Sequence, residues 1–154
     1  LNNGNGTFAA QVAYVTGPGP LEVAAADLNR DGKPDLVVAN VNSSAVSVLF
    51  NNGNGTFAAK VDYVTGGAPA SVAAADLNGD GKLDLAVGKY QGNTMSVLFN
   101  KGNGTFTAAV DYAVGSAQHY SVAAADLNGD GKTDLAVANH GSSTVSVLLT
   151  TCLP

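Results

Sequence analysis

Three times along the chain a nine-residue acidic pattern returns, Asp-Leu-Asn-x-Asp-Gly-Lys-x-Asp, opening at Asp27, Asp76 and Asp126. The opening aspartates stand 49 and 50 residues apart, so the 154 residues are three copies of one unit, each with one oxygen-rich loop. A period of this length marks a supersecondary unit that buries its apolar face only against a neighbouring copy, which restricts the chain to repeat architectures.

Within each loop, oxygen-bearing side chains fall at positions 1, 3, 5 and 9, and a glycine at position 6 lets the backbone turn sharply. Such a set converges on one hard cation. The ligands assigned in this way are Asp27, Asn29, Asp31 and Asp35 with the main-chain carbonyl of Lys33, then Asp76, Asn78, Asp80 and Asp84 with that of Lys82. In the third copy they are Asp126, Asn128, Asp130 and Asp134 with the carbonyl of Lys132. The expectation is one calcium ion per repeat. The last acid stands at position 9 rather than 12 and no flanking helices can be read, so this is not an EF-hand. A turn whose side chains only bond their own backbone accounts for one isolated copy, but it requires no acid repeated at four positions in three copies.

Nine of the twelve acidic residues lie in these loops, leaving Glu22, Asp62 and Asp111, so the net charge of −5 is mostly loop charge. Three bound dications bring the formal total to about +1. There is no basic patch to suggest nucleic acid, and no apolar run reaches the length of a membrane span. The chain opens at Leu1 without a leader pattern, which reads as a mature product or a piece of a longer chain. Exposed loops of this kind fill at the millimolar calcium found outside cells, so an extracellular protein is expected.

Between the loops the apolar period is two. In Phe57-Ala-Ala-Lys-Val-Asp-Tyr63 the larger apolar groups share one face while Lys60 and Asp62 share the other, as in a strand with one wet side. In the second unit this reading places strands at 71–76, 84–87, 95–99 and 105–114, the last introduced by the Gly-Asn-Gly turn at 102–104. Short connections predict an antiparallel meander. Four such strands per repeat of about 50 residues make the blade of a β-propeller, with the alanine-rich first strand innermost, where bulky side chains would collide. The expected architecture is therefore all-β, one domain over 1–154 with repeats at about 1–50, 51–99 and 100–149. A β-solenoid is the rival, though its repeats are shorter and its strands parallel.

The run SVAAADLNGDGK at 71–82, its near copies at 22–33 and 121–132, and the Gly-Asn-Gly-Thr-Phe turns resemble FG-GAP/VCBS repeats. These are the calcium-loop propeller blades of integrin α chains and of some fungal and bacterial lectins. The resemblance covers essentially the whole chain. It implies calcium at Asp27, Asn29, Asp31, Asp35 and their equivalents, on a scaffold rather than a reaction centre. The Gly-Ala-Pro element survives only at Gly67-Ala68-Pro69 and assigns no site.

Function has to come from what the scaffold carries. Residues 71–82 and 121–132 are identical, so variation is confined to the opposite rim, which holds Asn40, Asn42, Tyr90, Gln91, Asn93, His119, Tyr120, Asn139 and His140. Aromatic rings beside amides suit a sugar, stacking on its C–H faces and bonding its hydroxyls; Tyr90, His119, Tyr120 and His140 are the candidate ligand residues. Ordinary polar loops give the same composition. No catalysis is expected. His119 and His140 can be neighbours in one blade, but no serine in a glycine elbow accompanies them, and Asp62 and Asp111, at equivalent places on two fourth strands, read as solvated. Cys152 reads as a free tail thiol or an intermolecular bridge. The sequons at Asn5, Asn42, Asn54 and Asn103 matter only in a glycosylating host, and the repeated turn already explains three of them.

Two classes remain: a calcium-dependent recognition module, with glycans as partners, and a structural or self-assembling repeat protein. For the second, the pattern of 2–15 is that of a fourth strand, which would complement the third blade. Three blades fall below the usual four to eight of a propeller. Strand exchange between copies is therefore expected, giving a six-bladed homodimer, with a filament and a designed or fragment-derived piece of a longer propeller as the alternatives.

Overall fold

A computed structural model describes residues 2–115 and 119–151, the side chains at 119 and 120 excepted. Cys152 lies outside the described residues. The strands are β1 (Pro20–Ala26), β2 (Asp35–Asn40), β3 (Ala45–Leu49), β4 (Val61–Val64), β5 (Pro69–Ala75), β6 (Asp84–Lys89), β7 (Thr94–Leu98), β8 (Val110–Ala113), β9 (His119–Ala125), β10 (Asp134–Asn139) and β11 (Thr144–Leu148). They form three antiparallel meanders, β1-β2-β3-β4, β5-β6-β7-β8 and β9-β10-β11. Register repeats from blade to blade: Leu36 faces Ala25 and Leu49, and Leu85 faces Ala74 and Leu98. One 3-10 turn, His140–Ser142, precedes β11.

The first strand of each sheet is the innermost: β1 packs on β5, and β5 on β9. Alanines at 24–26, 73–75 and 123–125 allow this close approach, since any larger side chain would hold the sheets apart. The second strands are covered on both faces, and β6 is buried throughout. That is why they read as unbroken apolar runs rather than as alternating strands.

The cores lie between blades, not within them. Leu28, Val37, Val48, Leu85, Val87, Leu98 and Phe106 join the first two sheets, and Ala86, Met95, Val97, Val122, Leu135 and Val137 join the second and third. Each fully buried Leu or Val contributes roughly 1.5–3 kcal/mol, so a sheet without its neighbour forfeits most of its stabilisation.

The outer strands are shorter than the expected 105–114 because their first residues are consumed by a closed turn. Isolated bridges Asn51↔Phe57 and Asn100↔Phe106 shut it. The glycines inside it have φ of +82° at both Gly53 and Gly55, which side-chain-bearing residues adopt at a cost. The same turn occurs at Asn2↔Phe8. Beyond it, the segment through residue 15 carries no strand in this structure. Tyr14 meets Phe57 edge to face at 5.4 Å, as Tyr63 meets Phe106 at 5.1 Å. The segment thus stands before the first sheet as β4 stands before the second.

Candidate metal loops and the opposite rim

The acidic loops join β1 to β2, β5 to β6 and β9 to β10, so the fold gathers all three on one rim. Each wraps around its first carboxylate. Asp27 Oδ1 accepts from the Asp31 N–H at 3.0 Å and Oδ2 from the Gly32 N–H at 2.8 Å. Asp76 takes the same bonds from Asp80 and Gly81, and Asp126 takes the Gly131 N–H at 2.9 Å. Position 6 glycine has φ of +78° at Gly32. Arg30 adopts φ of +66° where the other copies have Gly79 and Gly129, a strain peculiar to the first loop.

Position 3 accepts too: Asn29, Asn78 and Asn128 each take the N–H two residues on. At position 5, Asp31, Asp80 and Asp130 take the N–H of the position-7 lysine on one oxygen and its ammonium on the other, at 3.3, 2.9 and 3.2 Å. Besides the main-chain carbonyl that its spacing singles out, the lysine thus supplies the loop with an internal counter-ion. The Lys82 ammonium holds the Asp80 carboxyl below its ordinary range, and the N–H groups of Gly131 and Gly129 do the same for Asp126.

Position 9 is set apart. Asp35, Asp84 and Asp134 are fully buried. Asp84 Oδ2 accepts the Leu77 N–H at 3.1 Å and Oδ1 the Asn100 N–H at 2.8 Å. Asp35 binds Leu28 and Asn51 in the same way, and Asp134 binds Leu127 and Thr150. Each carboxylate therefore ties the start of its loop to the end of the third strand. Burial pushes the Asp84 carboxyl up, and the neighbouring charges of Asp80 and Asp76 add to this.

Donor chemistry in these loops fits a hard divalent cation: uncharged and anionic oxygens recur at fixed spacing, although Asp76 Oδ1 already accepts two N–H groups, those of Gly79 and Asp80. Among the described residues, no three His, Cys, Asp or Glu side chains converge at metal-binding distance. The fit thus rests on donor type and spacing. The first loop is also braced by the next blade, whose Asn100 amide donates to the carbonyls of Leu28 and Leu83 at 2.8 and 2.9 Å.

At the other rim the connection from the second to the third strand is hydrogen-bonded to the strand-entry loop of its own blade. Val41 N–H donates to Gly19, Tyr90 N–H to Ala68 and Gln91 N–H to Gly67. Asn40 and Asn139 are not open to a ligand: both are buried, and their amides bond Ser47 and Ser146. Backbone pairing sets His119 opposite Asn139, one residue from His140, while Tyr90 follows β6 in the neighbouring blade. The side chains of His119 and Tyr120 lie outside the described residues. His140 borders a shallow cavity of about 380 Å³ with Ser143, Thr144 and Val145. Asp62 and Asp111 are not simply solvated. They accept the hydroxyls of Ser47 and Ser96, directly opposite in the ladder, at 2.6 Å each.

Blade-type antiparallel sheets side by side, with acidic loops along one rim, define a module of the β-propeller class. The chain matches the FG-GAP-like repeat three times, over residues 1–38, 29–87 and 86–137, and belongs to that family. Among proteins with curated descriptions none matches it. Among solved structures it is similar to the Photorhabdus luminescens Tc holotoxin pore, at 24% identity and TM-score 0.55 over 80% of this chain. It is also similar to the TcdB2-TccC3-Cdc42 complex, at 26% identity and TM-score 0.52 over 75%. The chain spans 6% of the length of each of those chains.

Proposed function

We propose that the chain is a non-catalytic, calcium-stiffened propeller module for extracellular recognition, with a carbohydrate as its ligand. The observation that carries the calcium reading is the threefold loop on one rim, wrapped each time around its position-1 carboxylate with positions 3 and 5 on the same turn. A cation binding only the folded loop stabilises it by about 2.7 kcal/mol per site at a hundredfold excess over Kd. Three sites then raise Tm by more than roughly 10 °C. Calorimetric melting in calcium and in EDTA checks this, and overlapping curves with no metal in the purified protein would refute it.

The carbohydrate reading is supported by an aromatic and imidazole set at the ends of two adjacent blades, Tyr90, His119, Tyr120 and His140, with the cavity beside His140. A glycan array probed with the intact chain and with Tyr90→Ala and His140→Ala is the test. Loss of signal at unchanged Tm supports a dedicated site. A blank array, or loss of signal only with loss of fold, overturns it.

A further inference from the structure

Between the second and third sheets lies a cavity of about 420 Å³ lined by Leu77, Val97, Phe99, Tyr112, Leu135 and Leu148. The residues one repeat earlier are Leu28, Val48, Phe50, Tyr63, Leu85 and Leu98. They belong to one cluster between the first and second sheets, and Phe106, at 5% exposure, is packed into it with its ring edge to face on Tyr63. One set of walls thus occurs twice in the molecule, once around a phenylalanine from a Gly-Asn-Gly-Thr-Phe turn and once open.

We propose that the open cavity is a socket for such a phenylalanine, and that its occupant is the segment 2–15 of a second copy, with Phe8 in the socket and residues 12–15 paired along β11. The donor is presented for this role. Phe8 stands at the end of the same closed turn as Phe106 yet is 75% exposed, and Val12 and Val15 are exposed beyond it. The acceptor matches. Val145 and Val147 of β11 are exposed, whereas Val46 and Val48, beneath β4, and Met95 and Val97, beneath β8, are buried.

The path out of β11 is already shaped. Thr150 N–H donates to Asp134 at 2.7 Å, as Asn100 N–H donates to Asp84 at 2.8 Å where the chain leaves β7 for the turn that carries Phe106. The β7–β8 ladder pairs Ser96 with Asp111 and Met95 with Tyr112. Carried forward one repeat, it pairs Ser146 with Ala13 and Val145 with Tyr14. Tyr14 then serves both copies, facing β11 of the partner while its ring stays on Phe57 of its own chain. Tyr63 does the same between β3 and Phe106. The contact is head to tail, closing as two copies or running on as a filament. It depends on neither the metal nor the sugar.

Light scattering of the intact chain at rising concentration reads the mass directly. Twice the chain mass or higher multiples are expected. Phe8→Asp and Leu149→Glu alter exposed side chains, one on the donor and one on the cavity wall. Each should remain folded by circular dichroism and weaken association by at least about a hundredfold, as removal of a central aromatic anchor does. Mixed in equal amounts, the two variants retain one intact contact between them and form a heterodimer. A monomeric intact chain, an undiminished mass for Phe8→Asp, or a mixture that stays monomeric would each overturn the proposal.

Discussion

Asp35, Asp84 and Asp134 belong to the same acidic pattern as their loop neighbours but have different partners. Both oxygens of each accept backbone N–H groups from elements on either side, so they hold the blade together with or without a cation. In Asp84→Asn one of those N–H groups faces an amide NH2, a loss of about 1–3 kcal/mol for a buried unsatisfied donor. Urea denaturation in EDTA should show that loss in full. Asp80→Ala, by contrast, should destabilise the chain in calcium and change little in EDTA, because its partners in this structure are its own exposed loop. Equal losses for both variants in EDTA would contradict the division. The pattern itself was legible in the sequence. The division was not, because the donors to Asp84 lie 7 residues before it and 16 after it, a distance that local turn chemistry does not span.

At the scale of the strand, β6 ends on Lys89 where β2 and β10 end on Asn40 and Asn139. The Lys89 side chain is 4% exposed, and its ammonium donates to Asp111 on β8 at 2.8 Å; the Asp111 side chain is 51% exposed. Burial pushes the Asp111 carboxyl up, but the bonds from Lys89 and Ser96 outweigh it and hold the group below its ordinary range. A carboxylate with a depressed folded pKa contributes its full stability above the unfolded value, near 4, and loses it as pH falls through the lower folded value. Asp111→Asn should therefore cost about 2 kcal/mol at neutral pH, less than for a wholly buried pair because half the acid is in water. Measured as Tm from pH 6 down to 3, the gap between variant and parent should narrow. A gap independent of pH would rule out the ion pair as its source. Alternation and turn chemistry made the strands readable, but Asp111 looked solvated because its partners come from β6 and β7, which only the ladder brings alongside.

For the whole molecule, the cores between sheets make each repeat the support of the next, and the twelve-residue identity of 71–82 and 121–132 makes the copies look exchangeable. Lys89 shows that they are not. Its ammonium is satisfied by the carbonyl of Thr65, in the connection from β4 to β5, and by an acid on its own fourth strand. The third slot offers no such acid among the described residues, and under the pairing proposed above the residue opposite Ser146 is Ala13. Asn139→Lys would bury an ammonium there without a counter-charge, so calorimetry should show a loss of roughly 3 kcal/mol or more, whereas Lys89→Asn should be milder. Similar losses for the two would remove the distinction. The second repeat thus carries a mark of position: its lysine needs a fourth strand that bears an acid, as β4 and β8 do and residues 12–15 do not, so the last slot is closed to it even where the sequences of the repeats agree.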